Sequence, residues 1–158
     1  MIRCGIGYDA HRLVAERKLI LGGVEIPHDR GLEGHSDADV LSHAIADALL
    51  GAMGKGDIGH HFPDTDESIR GISSLEILRH VRELLAEENA RATNIDATLI
   101  AEAPKLQPHI PQMKTKIANV LACDVSRVNI KATTNEGLGA IGHGEGIAAI
   151  AIGLVEDL

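Results

Sequence analysis

The stretch Ile147-Ala-Ala-Ile-Ala-Ile-Gly-Leu-Val155 constrains the fold more than any other part of this chain. Read as a strand, it is apolar on both faces, and both faces must then be covered. An Ala-rich run of this length also fits a buried helix, which periodicity alone does not exclude. As a strand it belongs inside a sheet, with three helical patterns upstream to cover one face. The other face then needs a partner, and sheet-to-sheet packing between copies would supply it. With one Phe, one Tyr and no Trp in 158 residues, the core must be built from Ile, Leu, Val and Ala. A chain of this length fits one domain, residues 1–158, with a real core.

Residues 2–8 read as a strand, and residues 18–26 as one or two more, broken at Gly22-Gly23. Ser36 is placed as a helix N-cap, with Asp39 three residues on completing a capping box. Leu41, Ile45, Ala48, Leu49 and Ala52 then recur at helical spacing, which predicts a helix over 37–53. Ser73 and Glu76 open a second helix through Leu75, Leu78, Val81 and Leu85, with Arg82, Glu83, Glu87 and Glu88 outside. Residues 95–102 form a strand ended by Pro104. Pro111 suits the first turn of a third helix, with Met113, Ile117 and Leu121 as its buried stripe. Residues 128–133 form another strand. The result is an α/β domain, a mixed sheet with helices on one face. Between the first two helices lies a Gly/Asp/Pro-rich loop, residues 54–66, of the kind that is functional or mobile.

The net charge of −8, with no basic run longer than two residues, disfavours extended contact with a nucleic-acid backbone. A small anion is still compatible, held by metals or backbone amides. Cys4 and Cys123 are too few and too far apart for a disulfide framework. No signal peptide or membrane span is visible. A cytoplasmic protein is expected, with no membrane or nucleic-acid partner.

Asp9 and His11 alternate on one side of an extended segment, and His43 falls on the first helix. Two imidazoles and a carboxylate suit a catalytic zinc with one position open. Each alone reads as readily as an ordinary polar residue at an element end. Asp47 shares a helix face with His43 and could orient it, or could simply be a solvated charge. His35 could donate to a phosphate oxygen, and the amides at Ser36 could meet one. The loop residues Asp57, Ile58 and Gly59, then Phe62, Pro63, Asp64, Thr65 and Asp66, read as a lid or as plain turn chemistry. Lys105 could meet a phosphate. Thr133, Thr134 and Glu136 end a strand with groups that can hold phosphate oxygens and a hard cation, though Thr is also simply a good strand residue. Two glycine patterns, Gly5-Ile-Gly7-Tyr-Asp-Ala10 and Gly137-Leu-Gly-Ala-Ile-Gly142, resemble the dinucleotide fingerprint, but neither is followed by the required helix. Both read as tight turns.

Taken in order, Gly-Tyr-Asp-Ala-His, His-Ser-Asp-Ala-Asp, Gly-Asp-Ile-Gly with Phe-Pro-Asp-Thr-Asp, Ala-Pro-Lys, Lys-Ala-Thr-Thr-Asn-Glu and Gly-Glu-Gly resemble the 2-C-methyl-D-erythritol 2,4-cyclodiphosphate synthase family of the non-mevalonate isoprenoid pathway. The resemblance implies a homotrimer, with sheets facing a threefold axis and active sites between subunits. It implies that Asp9, His11 and His43 hold one Zn2+ per subunit, and that His35 and Ser36 contact substrate. It assigns residues 57–59 and 62–66 to the methylerythritol phosphate. The cytidine diphosphate region falls on Ala101, Glu102, Ala103, Pro104, Lys105, Leu106 and Gln107, and on Thr133, Thr134, Asn135 and Glu136. Glu136 would help hold Mg2+ or Mn2+ on the diphosphate. His35 and Thr134 match positions credited with transition-state stabilisation.

The expected reaction is attack of a 2-phosphate oxygen on the β-phosphorus of a cytidine diphosphate, closing a ring and releasing CMP. It needs positioning and charge neutralisation more than a base. After Glu136 the family carries Lys, an aromatic and Arg, where this chain has Gly137, Ala140 and His143. That departure bears on a phosphate contact from His143 and on isoprenoid binding at the trimer axis. Two rivals are an NAD-dependent oxidoreductase built on the glycine patterns and a trimeric nucleotide-binding module without activity.

Overall fold

The computed structural model describes residues 1–158. The chain opens with one long strand, β1 (Ile2–Ala15). A small hairpin follows, β2 (Leu19–Leu21) and β3 (Val24–Ile26), turned by Gly22 and Gly23 at positive φ, where glycine costs least. Then come β4 (Arg30–Leu32), α1 (Val40–Met53), the four-residue α2 (Ile58–His61) and α3 (Ser74–Glu87). The second half runs β5 (Ala90–Ile100), α4 (Ile110–Leu121), β6 (Val128–Thr133), the four-residue α5 (Gly139–Gly142) and β7 (Gly146–Asp157). The main sheet has the order β4-β1-β7-β5-β6. Only β5 and β6 are parallel; the other neighbours are antiparallel. No helix is long and apolar enough to cross a membrane.

The Ile147–Val155 stretch is a strand, and it is the central one. Its inward residues Ala149, Ala151 and Val155 are buried, whereas Ile150 and Ile152 are exposed on the opposite face. The register aligns Ile152 with Ile6 and Ile150 with Tyr8. Ile6 is 66% and Tyr8 61% exposed, so an apolar strip runs along β1 and β7 on the face without helices. The inner face carries the core, in which Leu, Ile, Val and Ala predominate and Met113 is also buried.

On that inner face α1 lies directly against β1. A Cβ on Gly5 would fall 2.0 Å from the Ala48 carbonyl oxygen, and one on Gly7 only 1.9 Å from that of Ala44. These glycines are therefore not a turn, as their pattern suggested. They are a groove within a continuous strand that lets a helix backbone approach. The second pattern does turn, with Gly137 and Gly139 at positive φ, and then winds into α5. Helix α1 starts three residues later than expected. Its cap is Asp39, whose Oδ1 accepts from Ser42 N–H. Asp39 is fully buried and also accepts from Gly22 N–H, Gly23 N–H and the Ser42 hydroxyl. Burial pushes its carboxyl pKa up despite these donors. Ser36 Oγ instead accepts from Ala38 N–H, one turn too early to start the helix.

Candidate active site

Two elements bring three ligand-type side chains together. Asp9 and His11 point inward from β1, and His43 reaches them from the first turn of α1. Asp9 Oδ2 lies 2.8 Å from His11 Nε2 and 3.0 Å from His43 Nδ1, and the two nitrogens are 3.4 Å apart. One ligand atom from each residue lies within 4.8 Å of the others. An N2O donor set converging from a strand and a helix fits a divalent ion such as zinc with an open side.

The outer nitrogens support that fit. His11 Nδ1–H donates to the Glu33 carbonyl at 2.6 Å, which leaves Nε2 facing Asp9 in the neutral ring. His43 Nε2 faces two hydroxyls, Ser74 Oγ at 2.9 Å and Ser36 Oγ at 3.1 Å. Burial alone would raise the Asp9 carboxyl, but the hydrogen bonds that the His11 and His43 rings donate to it when protonated outweigh it and hold its pKa far below the carboxylate range. Burial would likewise lower the His11 pKa, but the Asp9 carboxylate and the Glu33 carbonyl raise it above its ordinary value.

Asp47, expected to orient His43, does something else: its Oδ1 accepts from Ile58 N–H at 2.8 Å. It fastens the start of α2 to α1. Burial raises its pKa, partly offset by that hydrogen bond. The groups that meet His43 are Ser36 and Ser74. Ser74 lies 31 residues from His43, and helical spacing carried no sign of it.

The trio opens on a cleft of ≈ 290 Å³ lined also by His35, Ser36, Ile58, Gly59, Phe62 and Asp64. The loop therefore does border the metal-type cluster. Within it Asp57 caps α2 by accepting from His60 N–H, and Asp66 caps a short 3₁₀ turn by accepting from Ser68 N–H. His35 Nε2–H donates to the Asp66 carbonyl at 3.3 Å, tying the loop back to the strand side.

The remaining expected residues form a second group. Parallel pairing sets Ile100 beside Thr133, so residues 101–107 and 133–136 leave the sheet side by side. Ala101 N–H donates to the Thr133 carbonyl. Glu102 Oε1 accepts from Asn135 and Gly137 N–H, and Thr134 Oγ1 accepts from Glu136 N–H. Lys105, Thr134, Glu136 and His143 are exposed. None of this group lines the cleft around His43. At ordinary strand spacing residues 101–107, leaving β5, start about 10 Å from β1 in the sheet, and residues 133–136, leaving β6, about 14 Å.

Comparison with known proteins places the chain. The YgbB family matches over residues 2–156. The 2-C-methyl-D-erythritol 2,4-cyclodiphosphate synthase of Alkaliphilus metalliredigens is 64% identical over 151 residues, 96% of this chain and 95% of that protein. The enzyme of the same name from Geotalea uraniireducens is 58% identical over 155 residues, 98% of this chain and 99% of that protein. Among solved structures, the bifunctional IspDF of Campylobacter jejuni superposes with a TM-score of 0.96 at 40% identity. It covers all of this chain, which spans only 43% of that longer protein. The Plasmodium falciparum IspF CDP complex gives a TM-score of 0.86 at 36% identity, covering 99% of this chain and 96% of that one.

Proposed function

The chain belongs to the YgbB family, and from that membership we infer that it is a 2-C-methyl-D-erythritol 2,4-cyclodiphosphate synthase of the non-mevalonate isoprenoid pathway. It converts 4-diphosphocytidyl-2-C-methyl-D-erythritol 2-phosphate to the cyclic diphosphate and CMP. The bond from a 2-phosphate oxygen to the β-phosphorus forms as the bond to the bridging oxygen of CMP breaks. By reaction type this is a cyclising phosphorus–oxygen lyase. The observation that carries the reading is the convergence of Asp9, His11 and His43 at the mouth of a cleft walled by the 57–66 loop. The oxidoreductase reading is disfavoured at both glycine patterns: Gly5 and Gly7 pack against α1 within a strand, and Gly137–Gly142 winds only into the four-residue α5 before β7 begins.

The nucleophile is already an anion, so the residues need to position and neutralise rather than abstract a proton. Asp9, His11 and His43 would hold one zinc, and Glu136 a magnesium or manganese, which when bound would supply charge to polarise and neutralise a diphosphate. His35 stands at the cleft where its Nε2–H, now on the Asp66 carbonyl, can turn to a phosphate oxygen. Thr134 offers a hydroxyl at the end of β6. Residues 101–107 and 133–136 would cradle the cytidine diphosphate with backbone groups, with Lys105 supplying a charge. The P. falciparum complex with CDP supports a nucleotide ligand here. We place the enzyme in the cytoplasm as a homotrimer. The trimer reading is supported by the uncovered Ile6–Tyr8–Ile150–Ile152 strip and by the distance between the two residue groups on one chain.

The test is CMP release from the diphosphocytidyl substrate by purified protein, with and without a chelator. CMP release abolished by chelation and restored by zinc with magnesium is expected. An absence of release under all metal conditions overturns the assignment, and release indifferent to chelation overturns the metal roles.

A further inference from the structure

We propose that Ser74 and Asp37 are positioning residues for the metal site, fixing which nitrogen of His43 faces the cation. The inference rests on Asp9, His11 and His43 being the ligands. For His43 to bind through Nδ1, that atom must carry a lone pair and Nε2 must carry the proton. A hydrogen-bonded chain from α3 and the loop before α1 imposes this order. Asp37 grips Ser74 twice: Oδ2 accepts from Ser74 N–H at 3.0 Å, and Oδ1 accepts the Ser74 hydroxyl proton in a very short contact. A carboxylate can only accept. The Ser74 hydroxyl has therefore spent its proton, and toward His43 Nε2, 2.9 Å away, it can only accept. His43 Nε2–H must then donate, so the neutral ring carries its lone pair on Nδ1, beside Asp9 and toward the cation.

Ser36 cannot impose the same order. Its Oγ accepts from Ala38 N–H and keeps its own proton, so it could give that proton to Nε2 and favour the wrong tautomer. Ser74 is fully buried and His43 is 6% exposed, so water has little room to substitute. The device also joins the metal site to the loop. Ser74 is the first residue of α3, where the chain returns from the cleft wall. The neighbouring backbone is laced to the loop before α1: Gly71 N–H donates to the His35 carbonyl and Asp37 N–H to that of Ile72.

The test uses the full-length metal-free protein, Ser74→Ala and Asp37→Asn. Zinc dissociation constants come from competition with a chromophoric chelator, and cobalt spectra from the substituted proteins. In Asp37→Asn one carbonyl replaces two oxygens that take three donors, Ser74 N–H, the Ser74 hydroxyl and Asp39 N–H, so an amide NH2 must face a donor and the hold on the hydroxyl proton weakens. Both variants should weaken zinc roughly 10- to 100-fold, the usual effect of losing a partner behind a metal-bound histidine. Both should also alter the cobalt absorption bands. A purely structural role would lower the thermal midpoint of metal-free and zinc-loaded protein alike, with zinc affinity unchanged. That result overturns the proposal. A wild type that binds no zinc overturns the ligand assignment beneath it, and the proposal with it.

Discussion

His11→Ala removes one imidazole from a cluster at the edge of the core, where His11 is only half-buried. The fold should survive, by circular dichroism and a cooperative melt, while zinc content by elemental analysis falls from about one per chain toward zero. Acid acts on the same ring. Because the His11 pKa is raised in the folded metal-free protein, that group contributes stability present at low pH and lost as pH rises through the folded pKa. Zinc requires the unprotonated ring, so its stabilisation runs the other way. Between about pH 8 and 6, the metal-free protein should gain stability from His11 while the zinc-induced rise in melting temperature shrinks. Parallel melts across that range check both signs, and a zinc shift that grows toward pH 6 would contradict the ligand role. That Asp9, His11 and His43 could hold one ion was legible from residue types and, for Asp9 and His11, from alternation along one strand. Ser74 was not, because it joins His43 through tertiary contact alone and reads locally as part of a helix start.

Helix α1 is placed by absent side chains. Gly7→Ala would put a methyl 1.9 Å from the Ala44 carbonyl oxygen, a backbone atom that cannot rotate aside. The cost should reach or exceed the roughly 1–3 kcal/mol of ordinary overpacking, seen as a lower urea midpoint. The same shift carries His43 away from Asp9 and His11, so zinc affinity should fall with stability. Gly54→Ala is the control at a helix end with nothing within 4 Å; its strain is confined to a positive φ and should leave zinc binding unchanged. The existence of α1, α3 and α4 followed from periodicity. The start of α1 did not, since Ser36, Asp37 and Asp39 are all good caps. The choice fell to Asp39 because the Gly22-Gly23 turn brings it two further N–H donors.

Across the whole molecule, Ile147–Val155 foretold a sheet that one chain does not cover, and the exposed strip on β1 and β7 is that uncovered face. Ile6→Asp should turn a trimer into monomers by light scattering, because three carboxylates would meet where apolar side chains pack. A wild-type monomer at micromolar concentration would remove the trimer reading altogether. The proposed trimer would pair one copy's cluster with another copy's loops. The sheet order β4-β1-β7-β5-β6 keeps the ligand trio and the 133–136 segment on separate strands. In a ring, each catalytic centre would then inherit its two halves from different parents. Chains carrying His11→Ala and chains carrying Glu136→Ala, each inactive alone, should complement when unfolded together and refolded as an equal mixture. Random assortment leaves about one centre in four with both halves intact, so the mixed population should recover about a quarter of wild-type turnover.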